Sequence, residues 1–195
     1  MLLVLVALGA AYLSFQALGL VAAAAAALLA GIVGLRRSLS FPLALSAASA
    51  AGAALVHFAV APAHFGEWWG FGLFFVLAAE VQLGWALLLG RNHGRRMLAA
   101  GIVGSLSLVG IWGLSRTTGL PFGPEHGVPE AIAIPDLVSV GLELVTAASC
   151  VLALRVPQMS RPRLARPFRA AGLAGAVVLT AWALVAVGAG HSHLG

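Results

Sequence analysis

The sequence has no lysine and a single cysteine, Cys150. The first absence excludes a P-loop lysine, a Schiff-base lysine and an amine nucleophile, because each of these chemistries needs the primary amine. The second excludes a disulfide framework or a thiolate metal cluster within one chain. Charge of either sign is scarce: 9% of the 195 residues are charged, six are acidic and all eleven basic ones are arginine. Hydrocarbon takes their place, at 61% of residues and a mean hydropathy of +1.02. That is more apolar surface than a soluble domain of this length can bury, so the composition points to an all-α integral membrane protein.

A helix needs about 20 apolar residues to cross a hydrocarbon core of about 30 Å. Segments 41–61, 68–89, 97–115, 135–154 and 170–189 each supply that length. A single helix over 2–34 would be about 48 Å long, too long for an untilted span, whereas two spans sharing that length would each be short. We read it as one long, tilted or partly interfacial helix, giving a single domain of six transmembrane helices; two helices there would make seven. The positive n-region of a cleaved leader is missing, because no arginine precedes Arg36.

The arginines orient the bundle. Arg36 and Arg37, then Arg91, Arg95 and Arg96, then the five in the basic loop 155–169 all fall in alternate loops, leaving Arg116 alone on the other side. Positive-inside bias makes those loops cytoplasmic and puts both termini outside, as expected for a multi-pass protein of the cytoplasmic membrane. The pI of 11.4 therefore reflects orientation and lipid contact, and no nucleic-acid partner is implied.

The acids and histidines gather on the outer side. His57, His64, His126, His191 and His193 lie at or beyond the outer surface, with Glu67, Glu125, Glu130 and Asp136. Orientation rules account for the arginines but poorly for the acids, which contribute little to topology. The outer loop 116–135, with Gly119, Pro121, Gly123, Pro124, Gly127 and Pro129, cannot form a regular helix and suits a series of turns capping the bundle mouth. Arg116 is expected to hold this cap through Glu125, Glu130 or Asp136, or to bind an anionic headgroup or substrate. Pro135 suits the first turn of the next span, with Asp136 at the positive end of its dipole. Glu143, seven residues on, shares a face with Asp136 about 10 Å deeper, and Glu80 falls near the midplane of its own span. Carboxyls at such depth are costly and normally face the bundle interior.

The stretch "VHFAVAPAHFGEWWGFG" adds His57, a Pro62 expected to end its helix, His64 in the following turn, and Glu67. His57, His64, Glu67, His126, Asp136 and Glu143 together form a nitrogen/oxygen set suited to copper, zinc, iron or manganese, with Glu130 in reserve. On this reading a metal-bound water or oxidant would act on a lipid or small molecule entering from the outer leaflet. Glu143, Glu80 and Arg116 would then be the reacting or charge-stabilising groups of an oxidoreductase or hydrolase. A second reading makes Glu80, Gln82, Asp136 and Glu143 a protonatable path in a small transporter or channel component. A third is an accessory subunit of a homo- or hetero-oligomer, for which small-residue faces such as "GIVGSLSLVG" are suited. Haem ligation lacks a second intramembrane histidine. Ser115, His57 and Asp136 share the outer side without the local signature of a nucleophile turn.

The segments "HFAVAPAHFGEWWGFGLFF" and "WGLSRTTGLPFGPEHGVPE…PDLVSVGLELV" resemble a pattern in small, uncharacterised polytopic membrane proteins of high-GC Gram-positive bacteria. The likeness covers roughly residues 50–150. It implies a membrane fold of this kind and no particular activity.

Overall fold

The computed structural model describes residues 40–155, together with Ala174 and Thr180. These hold four helices: α1 (Phe41–Glu67), α2 (Trp69–Leu89), α3 (Arg95–Thr117) and α4 (Ile134–Arg155). All four are long and apolar enough to cross a membrane, and no strand occurs among the described residues. The expected first and last spans, and His191 and His193, lie outside the described residues.

Helix α1 occupies the centre of the described bundle because its side chains are small. Ala44, Ala47, Ala50, Ala51, Ala53 and Ala54 are all at most 8% exposed, so α2 and α4 pack closely on two of its sides. In a bilayer, where lipid tails are as apolar as leucine, close van der Waals approach of this kind is what favours helix association. Thr180, also buried, stands against Gly52, where a Cβ would displace it.

One sequence expectation is corrected here. Pro62 does not end its helix, and α1 runs through it to Glu67. A proline in a membrane helix removes one backbone donor, and neighbouring groups can absorb the loss. His64 therefore sits on the last turn of α1, and the reversal into α2 is made by Trp68 alone, in extended conformation at φ −164° and ψ 136°. Its N–H donates to His64 O at 3.0 Å, and Phe71 N–H donates back to Trp68 O at 3.1 Å.

Helix α3 packs on α4, while the backbones of α2 and α3 stay apart and meet through side chains at the arginine-rich end. There the Trp85 indole lies over Gly101, whose missing Cβ makes the room, and donates to Met97 O at 3.0 Å. Leu43, Leu89, Leu98 and Cys150 close the core around this contact. Toward the opposite end the two helices are separated by a cavity.

Candidate functional site

The cavity has a volume of about 280 Å³. Phe71, Phe74 and Phe75 of α2 form one wall, and Leu108, Val109 and Trp112 of α3 face them. Val56 and His57 of α1 and Ser139 and Glu143 of α4 form the back. Leu120, Pro121 and Phe122 of the loop roof it, with the Phe122 ring 6.3 Å from that of Phe71.

The roof is ordered by turns and an ionic clasp. Gly119, Gly123 and Gly127 take φ of +74°, +96° and +74°, a region that favours glycine. At Gly119 a side chain would also strike the Gly127–Val128 backbone, which passes directly over it. Gly127 N–H donates to Leu120 O at 2.9 Å, and Glu130 N–H to Ser115 O at 3.0 Å, tying the loop to the end of α3. Arg116 donates from Nη1 to Glu130 and from Nη2 to Asp136 Oδ2 at 2.8 Å. The same Asp136 oxygen accepts Ala133 N–H at 2.8 Å, so one carboxylate holds the loop end, the start of α4 and the arginine. The ion pair expected at Arg116 thus forms with Glu130 and Asp136, while Glu125 is exposed and takes no part.

At the back of the cavity a chain of hydrogen bonds crosses three helices. Gln82 on α2 donates its amide to Glu143 on α4. Its carbonyl can only accept, so His57 on α1 presents Nδ1–H to it at 2.8 Å. His57 Nε2 is then the acceptor for the Ser139 hydroxyl at 3.0 Å. This tautomer is assigned from the network, which runs in one direction from Ser139 to Glu143. Glu143 is 1% exposed. Its second oxygen, Oε2, is sealed from solvent, with the Ser105 hydroxyl of α3 beside it.

Ser139, His57 and Gln82 reproduce the nucleophile, base and orienting group of acyl-transfer enzymes in their connectivity. All three nevertheless sit inside helices, where backbone N–H groups are engaged along the helix. The chain of bonds fastens three helices through buried polar groups. The Ser115–His57–Asp136 grouping considered from sequence does not form. Ser115 donates to Trp112 O at 2.9 Å, and Asp136 serves Arg116.

The expected metal set is not assembled: among the described residues no three His, Cys, Asp or Glu side chains converge to hold an ion. Both nitrogens of His57 are committed to Gln82 and Ser139. His64 stacks on Phe75, centroids 4.2 Å apart, and bonds Glu67 at 2.9 Å on the rim. His126 is exposed on the loop, and Asp136 is taken by Arg116. A two-residue pair, His64 and Glu67, is what remains of the proposed ligands.

Glu80 is likewise corrected. It is exposed on the outer face of α2, away from the cavity, beside Leu77 and Val81. Residues two apart on a helix are about 200° apart, so the packing that turns Gln82 inward turns Glu80 outward. The sequence reading singled out Gln82 only in a protonatable path, not as a partner of His57, and did not single out Ser139. Only its polarity within an apolar span could have marked Ser139. Comparison with protein-family models, curated proteins and solved structures gives no match.

Proposed function

We propose that this is a multi-pass protein of the cytoplasmic membrane whose outer end holds a binding pocket for a lipid-like small molecule. The observation that carries the reading is an aromatic and aliphatic cavity of about 280 Å³ whose lining also includes the polar residues His57, Arg116, Ser139 and Glu143. A mostly apolar pocket with a few convergent polar groups is the usual form of a small-molecule site. The arginine-rich end faces the cytoplasm by the positive-inside rule, which turns the pocket outward.

Native mass spectrometry of protein released from mild detergent tests this. The expected result is a bound species on the wild type that is lost from Val109→Trp, a change that fills the cavity from α3. Identical spectra for the two proteins would remove the pocket reading.

A metal role would require a third ligand to join His64 and Glu67 from residues beyond those described. Elemental analysis of chelator-free protein, comparing wild type with His64→Ala, would show a stoichiometric ion lost on substitution if that role holds.

A further inference from the structure

Helix α2 turns Phe71, Phe74 and Phe75 toward the cavity and presents a second, continuous face on its outer side. Along that face Leu73, Leu77, Glu80, Gly84 and Leu87 follow one another at intervals of four, three, four and three residues. This spacing keeps a seam in register between two helices wound around each other in a left-handed sense. The three leucines and Glu80 are exposed, and a Cβ on Gly84 would meet nothing within 4 Å. Glu80 is the only ionisable residue of α2 and falls near the middle of the helix, with no polar partner among the described residues. A carboxyl left facing hydrocarbon is costly, so a midplane glutamate ordinarily faces protein.

The rest of the chain offers no partner at that depth. Thr180, from the last expected span, stands at Gly52 beside Leu142, against α1 and α4. The first expected span has no ionisable residue, and its polar side chains, Tyr12, Ser14 and Gln16, all precede Arg36 by 20 residues or more. Glu80 precedes Arg91 by 11. At about 1.5 Å per helical residue, the nearest of those side chains would be about 30 Å from the arginine-rich end, against about 16 Å for Glu80.

A second copy meets the requirement. Positive-inside bias gives every copy the same orientation, so a two-fold axis relating two copies runs along the membrane normal, and each seam residue meets its own counterpart. The group at the midplane must then satisfy itself. A carboxyl that carries a proton is donor and acceptor at once, so two Glu80 side chains can bond each other, as two arginines could not. Gly84, one turn away, lets the two backbones approach closely. A single polar position in an apolar seam also fixes the register, because a slip would leave both carboxyls facing leucine.

We infer that the protein is a parallel homodimer joined through α2, with the two Glu80 carboxyls hydrogen-bonded to each other at mid-membrane.

Disulfide trapping in native membranes tests the face. Leu77→Cys in the Cys150→Ala background, oxidised with copper phenanthroline, is expected to shift most of the chain to twice its mass. Val103→Cys, exposed on α3, should be trapped about tenfold less. The carboxyl contact is read separately, from energy transfer between labelled copies on dilution into detergent micelles. Glu80→Leu should raise the dissociation constant about tenfold or more, whereas Glu80→Gln, whose amide is also donor and acceptor, should remain within about threefold of the wild type. An equally tight dimer in Glu80→Leu would overturn the carboxyl contact. Leu77→Cys that stays monomeric, is trapped no better than Val103→Cys, or is joined to a different protein would overturn the homodimer.

Discussion

Gln82 is the residue on which the interior of this bundle turns. It is the one side chain that can accept from His57 and donate to Glu143 at once, so it joins α1, α2 and α4 at a single point. Replacing it by leucine leaves two buried polar groups without partners, each worth about 1–3 kcal/mol. Gln82→Leu should therefore lower the melting temperature by roughly 10 °C, measured by intrinsic fluorescence in detergent. Glu143→Gln keeps an acceptor oxygen for the Gln82 amide and should cost far less, which separates the hydrogen bond from the charge. A Glu143→Gln variant as unstable as Gln82→Leu would contradict that separation. At this scale part of the site was legible in the sequence. The depth of Glu143 and its seven-residue spacing from Asp136 place it correctly in the interior. Glu80 was not legible in the same way, because a carboxyl near midplane gives no indication of which side of the helix will be packed. His57 was placed at the pocket, but the partners that occupy its nitrogens come from 25 and 82 residues away and leave no local trace.

Among the elements, the loop between α3 and α4 and the contact between α2 and α3 define the pocket from above and below. The loop was readable from its glycines and prolines, and its three positive-φ glycines bear out turns where no helix can form. Its clasp predicts that Arg116→Ala, which leaves Asp136 half-buried and unpaired, costs roughly 1–2 kcal/mol, a fall of about 4 °C. Removal of both carboxylates with Arg116, in a triple Arg116→Ala/Glu130→Ala/Asp136→Ala variant, should restore part of that loss. Below the pocket, Gly101→Val would drive a branched side chain into the Trp85 ring and pry α2 from α3. Thermal stability should fall by more than 5 °C, whereas Gly104→Ala on the open side of α3, where nothing lies within 4 Å, should change it little. The Pro62 reading failed for a physical reason. Proline terminates helices in water more readily than within a bundle, where the surrounding helix contacts keep the segment helical.

For the whole molecule, the uneven charge carries the strongest sequence signal. Arg91, Arg95, Arg96 and Arg155 are exposed at one end of the described bundle, and the loop with its acids is at the other. Four helices of membrane-spanning length and their alternation were legible because periodic apolar length and arginine placement are one-dimensional properties. The polar mouth beneath the loop was legible, but the apolar cavity was not, because it is a gap between α2 and α3 that only their three-dimensional packing on α1 and α4 creates.

The buried Cys150 makes sidedness straightforward to test, since a thiol at 0% exposure gives little background and Cys150→Ala removes it. Ser139→Cys in the Cys150→Ala background places one near-isosteric thiol on the back wall of the cavity. The most direct measurement is its modification by a small membrane-impermeant thiosulfonate, applied first to intact cells and then to inverted vesicles. An outward-facing pocket predicts labelling in intact cells that is abolished by Val109→Trp, with inverted vesicles unreactive. Labelling from the cytoplasmic face alone, or labelling from outside that Val109→Trp leaves unchanged, would contradict it.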